Sequence, residues 1–375
     1  MPNALYHLLT EAELFSDFHG GAISRWAGNV LRNVPEAVVV CSWADFSWNL
    51  PSEAIFQLPK MVRYGRLRRY LLKAPWALHK NLLQRLFRPL LNRVRPGDVV
   101  WIHNRPDFAV ALTPQIRRAG GRVVLHLHNS HLVEWPDELT QQVSVDRLVF
   151  VSSFLLEQAQ RKFSSLGEAS VVYNGADESV FYPRSNRRDA PEIPIALFAG
   201  RLVKDKGIHV LIEAMKLLAR QGVKLRLQIV GSSSFGESRE TNYIRDLKAD
   251  APKSVTFLPY RSGVALGELF RRADIFCSPS IWDEPFGLVN VEAFASGLPV
   301  VSTRGGGASE IFAGGGGILV ERGSVVELAS ALRQLAEDSK LRSTLGKQGY
   351  SAFRERFTWS VTRARVQEIQ RALEL

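Results

Sequence analysis

The feature that most constrains this chain is a recurrence: short runs rich in Val, Ile and Leu return along its whole length, separated by segments of helical periodicity. In the first half the runs are ALYHLL, EAVVVCSW, DVVWIH, RVVLHLH, RLVFVS and SVVYN; in the second they are IPIALFAG, LRLQIVG, VTFLP, DIFCSPS and LPVVST. Unbroken apolar strands are what a parallel sheet covered on both faces requires, since neither face meets water. Stretches such as Gly207 to Arg220 (GIHVLIEAMKLLAR) supply the covering helices. The pattern predicts two open α/β domains, and 375 residues, 46% of them hydrophobic, are enough for two cores.

Between the halves, FYPRSNRRDAPEIP (Phe181 to Pro194) is polar, charged and proline-bearing, with no periodicity, and reads as a linker. The expected organisation is an N-terminal domain over 1–182, a linker over 183–194, a C-terminal domain over 195–356 and a final helix over 357–375. That helix sets Val361, Val366, Ile369 and Leu373 at helical spacing and needs an apolar surface, expected on the N-terminal domain.

No window approaches the roughly 18 apolar residues of a membrane span. The opening MPNALYHLLTEAELF lacks a basic flank and carries Glu11 and Glu13, unlike a signal peptide, so a cytoplasmic location is expected. Cys41 and Cys277 lie in strand-like runs, which argues for buried thiols and against a disulfide framework or a metal site. The net charge of +11 has a location. No acid occurs between Glu53 and Asp98, while Lys60, Arg63, Arg66, Arg68, Arg69, Lys73, Lys80, Arg85, Arg88, Arg93 and Arg95 do. Within that stretch Tyr64, Leu67, Leu71, Leu78, Leu82, Leu83, Leu86 and Leu90 recur at helical spacing, interrupted by Pro75 and Pro89. With Tyr70, Trp76 and Phe87, residues 60–95 suit the headgroup region of an anionic membrane. Leucines packed on the sheet with solvated arginines are the alternative, and an acidic soluble acceptor explains the same charge. No nucleic-acid-binding module is visible, and nucleic acid is not an expected partner.

A two-domain α/β chain binds its ligand outside the carboxyl ends of its strands. In AGRLVKDKG the strand ends at Gly200, and Arg201 and Lys206 project from the loop that follows. Two such cations suit a diphosphate, unless they are simply solvated. In SPSIWDEPFGLVNVEAFASGLPVVST a helix is expected from Gly287 or Leu288, with Pro285 and Gly287 forming the turn into it. Its free N–H groups and positive dipole end can take a phosphate. Glu284 and Glu292 have seven residues between them. Glu292, beside Phe294 and Ala295, needs a partner for a carboxylate that is costly to bury alone, either a pair of ribose hydroxyls or a structural arginine.

These residues carry a resemblance. GRLVKDKG followed by EPFGLVNVEAFASGLPVVST resembles the C-terminal signature of the retaining glycosyltransferases of family GT4. HGGAISRW, LHLHN, FVSSFLLEQ, YNGADESVFYP and LQIVGSS extend the likeness in the expected order over nearly the whole chain. The resemblance implies the GT-B fold, two Rossmann-like parallel-sheet domains facing across a cleft. It also implies transfer of a hexose from a nucleotide-sugar, a UDP-sugar first among donors, to a glycan, lipopolysaccharide or lipid-linked acceptor at the cytoplasmic leaflet. Carried over by position, Arg201 and Lys206 bind the diphosphate and Glu292 the ribose. Glu284, with Pro285, Phe286, Gly287 and Leu288, holds the hexose. Gly20 and Gly21 bring backbone to the phosphate and acceptor, and His128 stands at the sugar's reactive face, with His126 alternating beside it. His128 and Glu284 are thus the expected catalytic residues. The chain departs from the pattern at Pro259 in FLPYRSG, which leaves the base open, and at IHNRPDF, where Asn104 and Arg105 are either acceptor contacts or caps. No DxD-type motif is present, so the cations are expected to replace a metal, and no cofactor is expected. The alternatives are a sugar-nucleotide 2-epimerase of the same fold and a catalytically silent glycan-binding or coat-associated protein. A dinucleotide oxidoreductase is poorly supported, because no GxGxxG with a suitable acid follows the first strand.

Overall fold

The computed structural model describes residues 3–11, 14–16, 21–44, 48, 50–58, 75–163, 166–184, 192–233 and 240–374. The chain divides into two compact units, Met1–Tyr173 with Thr362–Leu375, and Asn174–Val361.

Unit 1 carries a seven-stranded sheet. Its strands are β1 (Leu5–Leu8), β3 (Ala37–Cys41), β5 (Ile55–Gln57), β6 (Val99–His103), β7 (Arg122–Leu127), β8 (Arg147–Phe150) and β9 (Ala169–Val171), while β2 (Leu14–Phe15) and β4 (Trp43–Ala44) form a separate short pair. The order β5-β3-β1-β6-β7-β8-β9 is parallel throughout. The central β1 and β6 are buried along their full length, which is why their sequences are apolar without alternation.

Unit 2 repeats the plan with β10 (Ile195–Ala199), β11 (Arg226–Val230), β12 (Val255–Leu258), β13 (Ile275–Ser278), β14 (Val300–Thr303) and β15 (Gly317–Val320), in the parallel order β12-β11-β10-β13-β14-β15. The helix Ile208–Arg220, foreseen from its periodicity, buries Ile208, Leu211, Ile212 and Met215 in a core shared with Leu227, Ile229, Ile275, Leu328 and Leu332. Both sheets reverse their winding next to the first strand, between β1 and β6 and between β10 and β13. In open α/β sheets ligands bind at that reversal.

The boundary between the units falls at Tyr173 and Asn174, ahead of the proline-bearing segment expected to hold it. Residues 174–182 are fastened within unit 2. Ala176 bridges to Thr358 and donates its N–H to Phe357 O at 3.0 Å, and Arg271 Nη1 donates to Val180 O at 2.8 Å. Of the expected linker 183–194, residues 185–191 lie outside the described residues. The last helix, Trp359–Glu374, counts with unit 1 from Thr362 on. There Thr362 Oγ1 donates to Tyr173 O at 2.9 Å, Arg363 Nη1 donates to Asn29 O at 2.9 Å, and Val366 and Ile369 are buried. Cys41 and Cys277 are both free and buried, and burial pushes the Cys41 thiol up to about 12 and raises that of Cys277 as well. Among the described residues no helix is long and apolar enough to cross a membrane.

Candidate functional site

At the reversal in unit 2 the loops after β10 and β13 are locked together. Gly207 has φ +68, a conformation that favours glycine, and an added Cβ would fall inside the contact radius of the Pro279 carbonyl oxygen. Ile281 N donates to Asp205 O at 2.8 Å. This close approach lets Lys206 Nζ form an ion pair with Glu284 Oε1, to which Ser280 Oγ also donates at 2.6 Å. The ammonium also lies 5.5 Å from the centroid of the Trp282 ring. Behind Glu284, Gly307 N donates to its carbonyl at 2.8 Å, and Gly306, at φ +60, lets the second turn approach the Glu284 backbone. Arg201 is exposed and makes no hydrogen bond or ion pair with another described residue.

Gly287, at φ 94 and ψ 52, then caps the helix Leu288–Ala295 without any side-chain hydrogen bond, so the first N–H groups stay available to a ligand. Glu292 is 3% exposed, in the fifth position of that helix. Two cations, a helix N-terminus and two carboxylates are thus gathered on one unit. That set can hold a diphosphate and accept hydrogen bonds from sugar hydroxyls.

At the reversal in unit 1 the strand ends assemble histidines. His103 on β6 and His126 on β7 are register partners, and His128 lies two residues beyond His126. His103 Nδ1 stands 3.2 Å from His128 Nε2, and His103 Nε2 stands 3.2 Å from His7 Nδ1. One suitable nitrogen from each of His103, His126 and His128 lies within 4.8 Å of the other two. Trp26 and Trp101 wall the cluster, with the Trp26 ring centroid 4.7 Å from that of His126 and Trp101 stacked 5.5 Å from His7. Burial in this apolar box lowers all four imidazole pKa values, to about 3 for His7 and His128, so the rings are neutral at neutral pH. Asn104, at φ 55, accepts the His128 backbone N–H on its Oδ1 at 2.7 Å. Arg105, 2% exposed, forms ion pairs with Glu11 and Asp107 and lies over the Phe108 ring.

Residues 184–352 match the family model described as glycosyl transferases group 1. Over those residues the C-terminal unit is similar to the group 1 glycosyltransferases. It is similar to spore coat protein SA of Bacillus subtilis, at 28% identity over 70% of this chain and 75% of that protein. It is also similar to D-inositol 3-phosphate glycosyltransferase of Stackebrandtia nassauensis, at 31% identity over 64% of this chain and 61% of that one. Its alignments with proteins of the latter name span 47–61% of their length. Among solved structures, Anabaena HepE in complex with UDP and glucose superposes with a TM-score of 0.72 at 21% identity, covering 97% of this chain and 98% of that one. The fold of the chain is accordingly GT-B.

The residues expected at the donor site, Arg201, Lys206, Glu284, Pro285, Phe286, Gly287, Leu288 and Glu292, all fall on the two loops and the helix at the unit 2 reversal. Phe286 is buried, against Phe357 at 6.1 Å, so its backbone rather than its ring faces any ligand there. In unit 1, Gly21 is the N-cap of the helix Ala22–Leu31, while Gly20 lies outside the described residues. Arg105 stands at the N-cap position of the helix Pro106–Arg118 without a side-chain capping hydrogen bond, its guanidinium packed between two buried carboxylates. The sequence marks His103 only as one of the residues at strand ends, without a role, and marks His7 only by its place near the end of an apolar run. Of the basic stretch, 60–74 lies outside the described residues. In the rest, Leu83, Phe87 and Leu90 are buried, with Phe87 against Phe108 at 4.8 Å, which corrects the expectation that Phe87 faces a membrane. Leu78 and Leu82, on the helix Trp76–Leu86, are exposed.

Proposed function

We propose that the chain is a retaining, metal-independent glycosyltransferase that moves a hexose from a nucleotide-sugar, with UDP-sugars the first candidates, to a glycan or lipid-linked acceptor. The observation that carries this reading is the unit 2 reversal, where Lys206 pairs with Glu284 ahead of an uncapped helix N-terminus and Arg201 stands exposed on the loop that carries Lys206. Arg201 and Lys206 address the diphosphate and stabilise its charge as it departs, which is the largest demand of the reaction. Glu292 accepts from the ribose and Glu284 from the hexose. By the family resemblance, His128 serves the sugar's reactive face and Gly20 and Gly21 the phosphate and acceptor. Both glutamates are committed to donor hydroxyls, and neither is free to act as a two-carboxylate pair. The acceptor oxygen therefore attacks the anomeric carbon from the face the diphosphate leaves, and the departing phosphate oxygen takes its proton. Retention rests on family analogy. HepE, which has UDP and glucose bound, supports UDP as the first nucleotide to test. The exposed Leu78 and Leu82 among the cations of the helix Trp76–Leu86 support an acceptor at an anionic membrane surface.

The test is ligand-dependent thermal stabilisation in EDTA with UDP-, GDP-, ADP- and TDP-sugars, repeated with Arg201→Ala and Glu292→Gln. A shift with one nucleotide, abolished by both substitutions, is expected. Folded protein that responds to none of them sinks the reading. Once an acceptor is found, the anomeric configuration of the product by NMR decides retention.

A further inference from the structure

The histidine cluster of unit 1 has a geometry that sugar binding does not call for. A His-x-His pair on one strand points both rings to one face, because side chains alternate with period two. β7 carries His126, His128 follows directly after its last residue, Leu127, and β6 brings His103 into register beside His126. The three imidazoles converge there, with the His126 and His128 ring centroids 4.0 Å apart. His103 Nδ1 and His128 Nε2 are 3.2 Å apart, close to the ~3.3 Å between two nitrogens bound at about 2.0–2.1 Å to a tetrahedral ion. His126 is fully buried and, among the described residues, neither of its ring nitrogens has a hydrogen-bond partner, a state that is rare for a buried polar side chain and calls for an explanation. His103 keeps its other nitrogen, Nε2, against His7 Nδ1. An outer partner of this kind fixes the tautomer and orientation of a metal-ligating histidine.

We infer that His103, His126 and His128 form a binding site for one divalent transition-metal ion of the zinc class, with His7 as the outer partner of His103. The donor set is nitrogen only, without carboxylate or thiolate. Such a set selects zinc, cobalt, nickel or copper over magnesium and calcium, which take oxygen. His128 is the one partly exposed member, so the remaining coordination position opens on its side, where water or an incoming group completes the shell. The site lies wholly in unit 1 and shares His128 with the proposed function, in which no metal holds the diphosphate.

The experiment uses the untagged full chain, stripped with EDTA and titrated with Co²⁺ and then Zn²⁺ at neutral pH. One equivalent of Co²⁺ is expected to give a visible band of low coordination number without thiolate charge transfer, and Zn²⁺ is expected to displace it. His103→Asn and His126→Asn should each weaken binding roughly 100-fold. His131→Asn, whose ring meets Asn129 and Asn104 instead, should leave binding unchanged. Should the variants fail to fold, histidine nitrogen NMR of the wild-type chain decides. Zinc should convert a ring nitrogen to the metal-bound state in three of the eight histidines. Folded protein that binds no Co²⁺, or binding that survives both substitutions, or NMR changes at histidines other than these, overturns the inference.

Discussion

Lys206 joins two loops and faces the proposed diphosphate at once. Its ammonium pairs with Glu284, and Ser280 Oγ holds the same carboxylate oxygen at 2.6 Å. Lys206→Ala removes the cation and leaves Glu284 without its partner, so kcat/KM for the donor is expected to fall about 100-fold, in the range seen when one preorganised charge-stabilising group is lost. Ser280→Ala keeps the cation and should cost about tenfold, the worth of one hydrogen bond to a charged group. Steady-state kinetics check both, and a Lys206→Ala enzyme of unchanged kcat/KM would remove this residue from the site. Ser280 and the pairing of Lys206 with Glu284, 78 positions apart, carry no local signal in the sequence. Glu284, Gly287 and Glu292 lie on one turn and one helix, so spacing alone placed them together. Arg105 was not legible in the same way, because Glu11, which holds it, is 94 positions away. His7 and His103 meet across 96 positions for the same reason. Such contacts are set by the order of strands in the sheet, which no local pattern encodes.

At the scale of elements, the loop after β10 depends on a backbone that only glycine adopts easily. Gly207→Ala must hold φ near +68 and displace the Pro279 carbonyl. The left-handed conformation alone costs on the order of 1–3 kcal/mol, and the clash adds to it. A lowered urea midpoint with an unchanged slope, together with lost donor binding, is the expected result. The helix Trp76–Leu86 makes a second case. Its His79 and Leu83 face inward while Leu78 and Leu82 face solvent. Periodicity in the sequence foretold a helix but could not sort its leucines, since the helix it packs on, Pro106–Arg118, whose Ala111 O accepts from Gln84 Nε2 at 3.0 Å, comes later in the chain. Replacing Leu78 and Leu82 with Asp removes the exposed apolar pair and adds charge of the wrong sign. Co-sedimentation with phosphatidylserine vesicles should therefore drop at least tenfold, since each cation near an anionic surface contributes about 1 kcal/mol and the buried leucines add to it. Equal sedimentation of the double variant would move the basic stretch to a soluble acidic acceptor.

At the scale of the whole molecule, the two units respond to different chemical variables. Among the described residues the buried histidines lie in unit 1, while His209 of unit 2, lowered in the same direction first by burial and then by Lys204, is only partly buried, and the proposed donor groups at the β10 and β13 ends lie in unit 2. His7 titrates at about 3 in the fold against an ordinary 6.5, so between those values the unfolded chain binds a proton that the folded chain refuses. Its contribution is fully present above pH 6.5 and is lost as pH falls from 6.5 toward 3. The slope is about 1.4 kcal/mol per pH unit for each histidine of this kind. His103, His126 and His128 are shifted in the same direction and steepen the loss. Amide hydrogen exchange, corrected for intrinsic rates, can read the units separately. Lowering the pH from 7 to 5 should reduce protection in β1, β6 and β7 more than in β10 and β13, whereas a bound nucleotide-sugar should raise protection in β10 and β13 first. His7→Asn should flatten the acid response of unit 1 whatever it does to stability at pH 7, because it is the slope, and not the offset, that counts the refused proton. An acid response as steep in β10 and β13 as in β1, β6 and β7 would place the titrating groups elsewhere than in the histidine cluster.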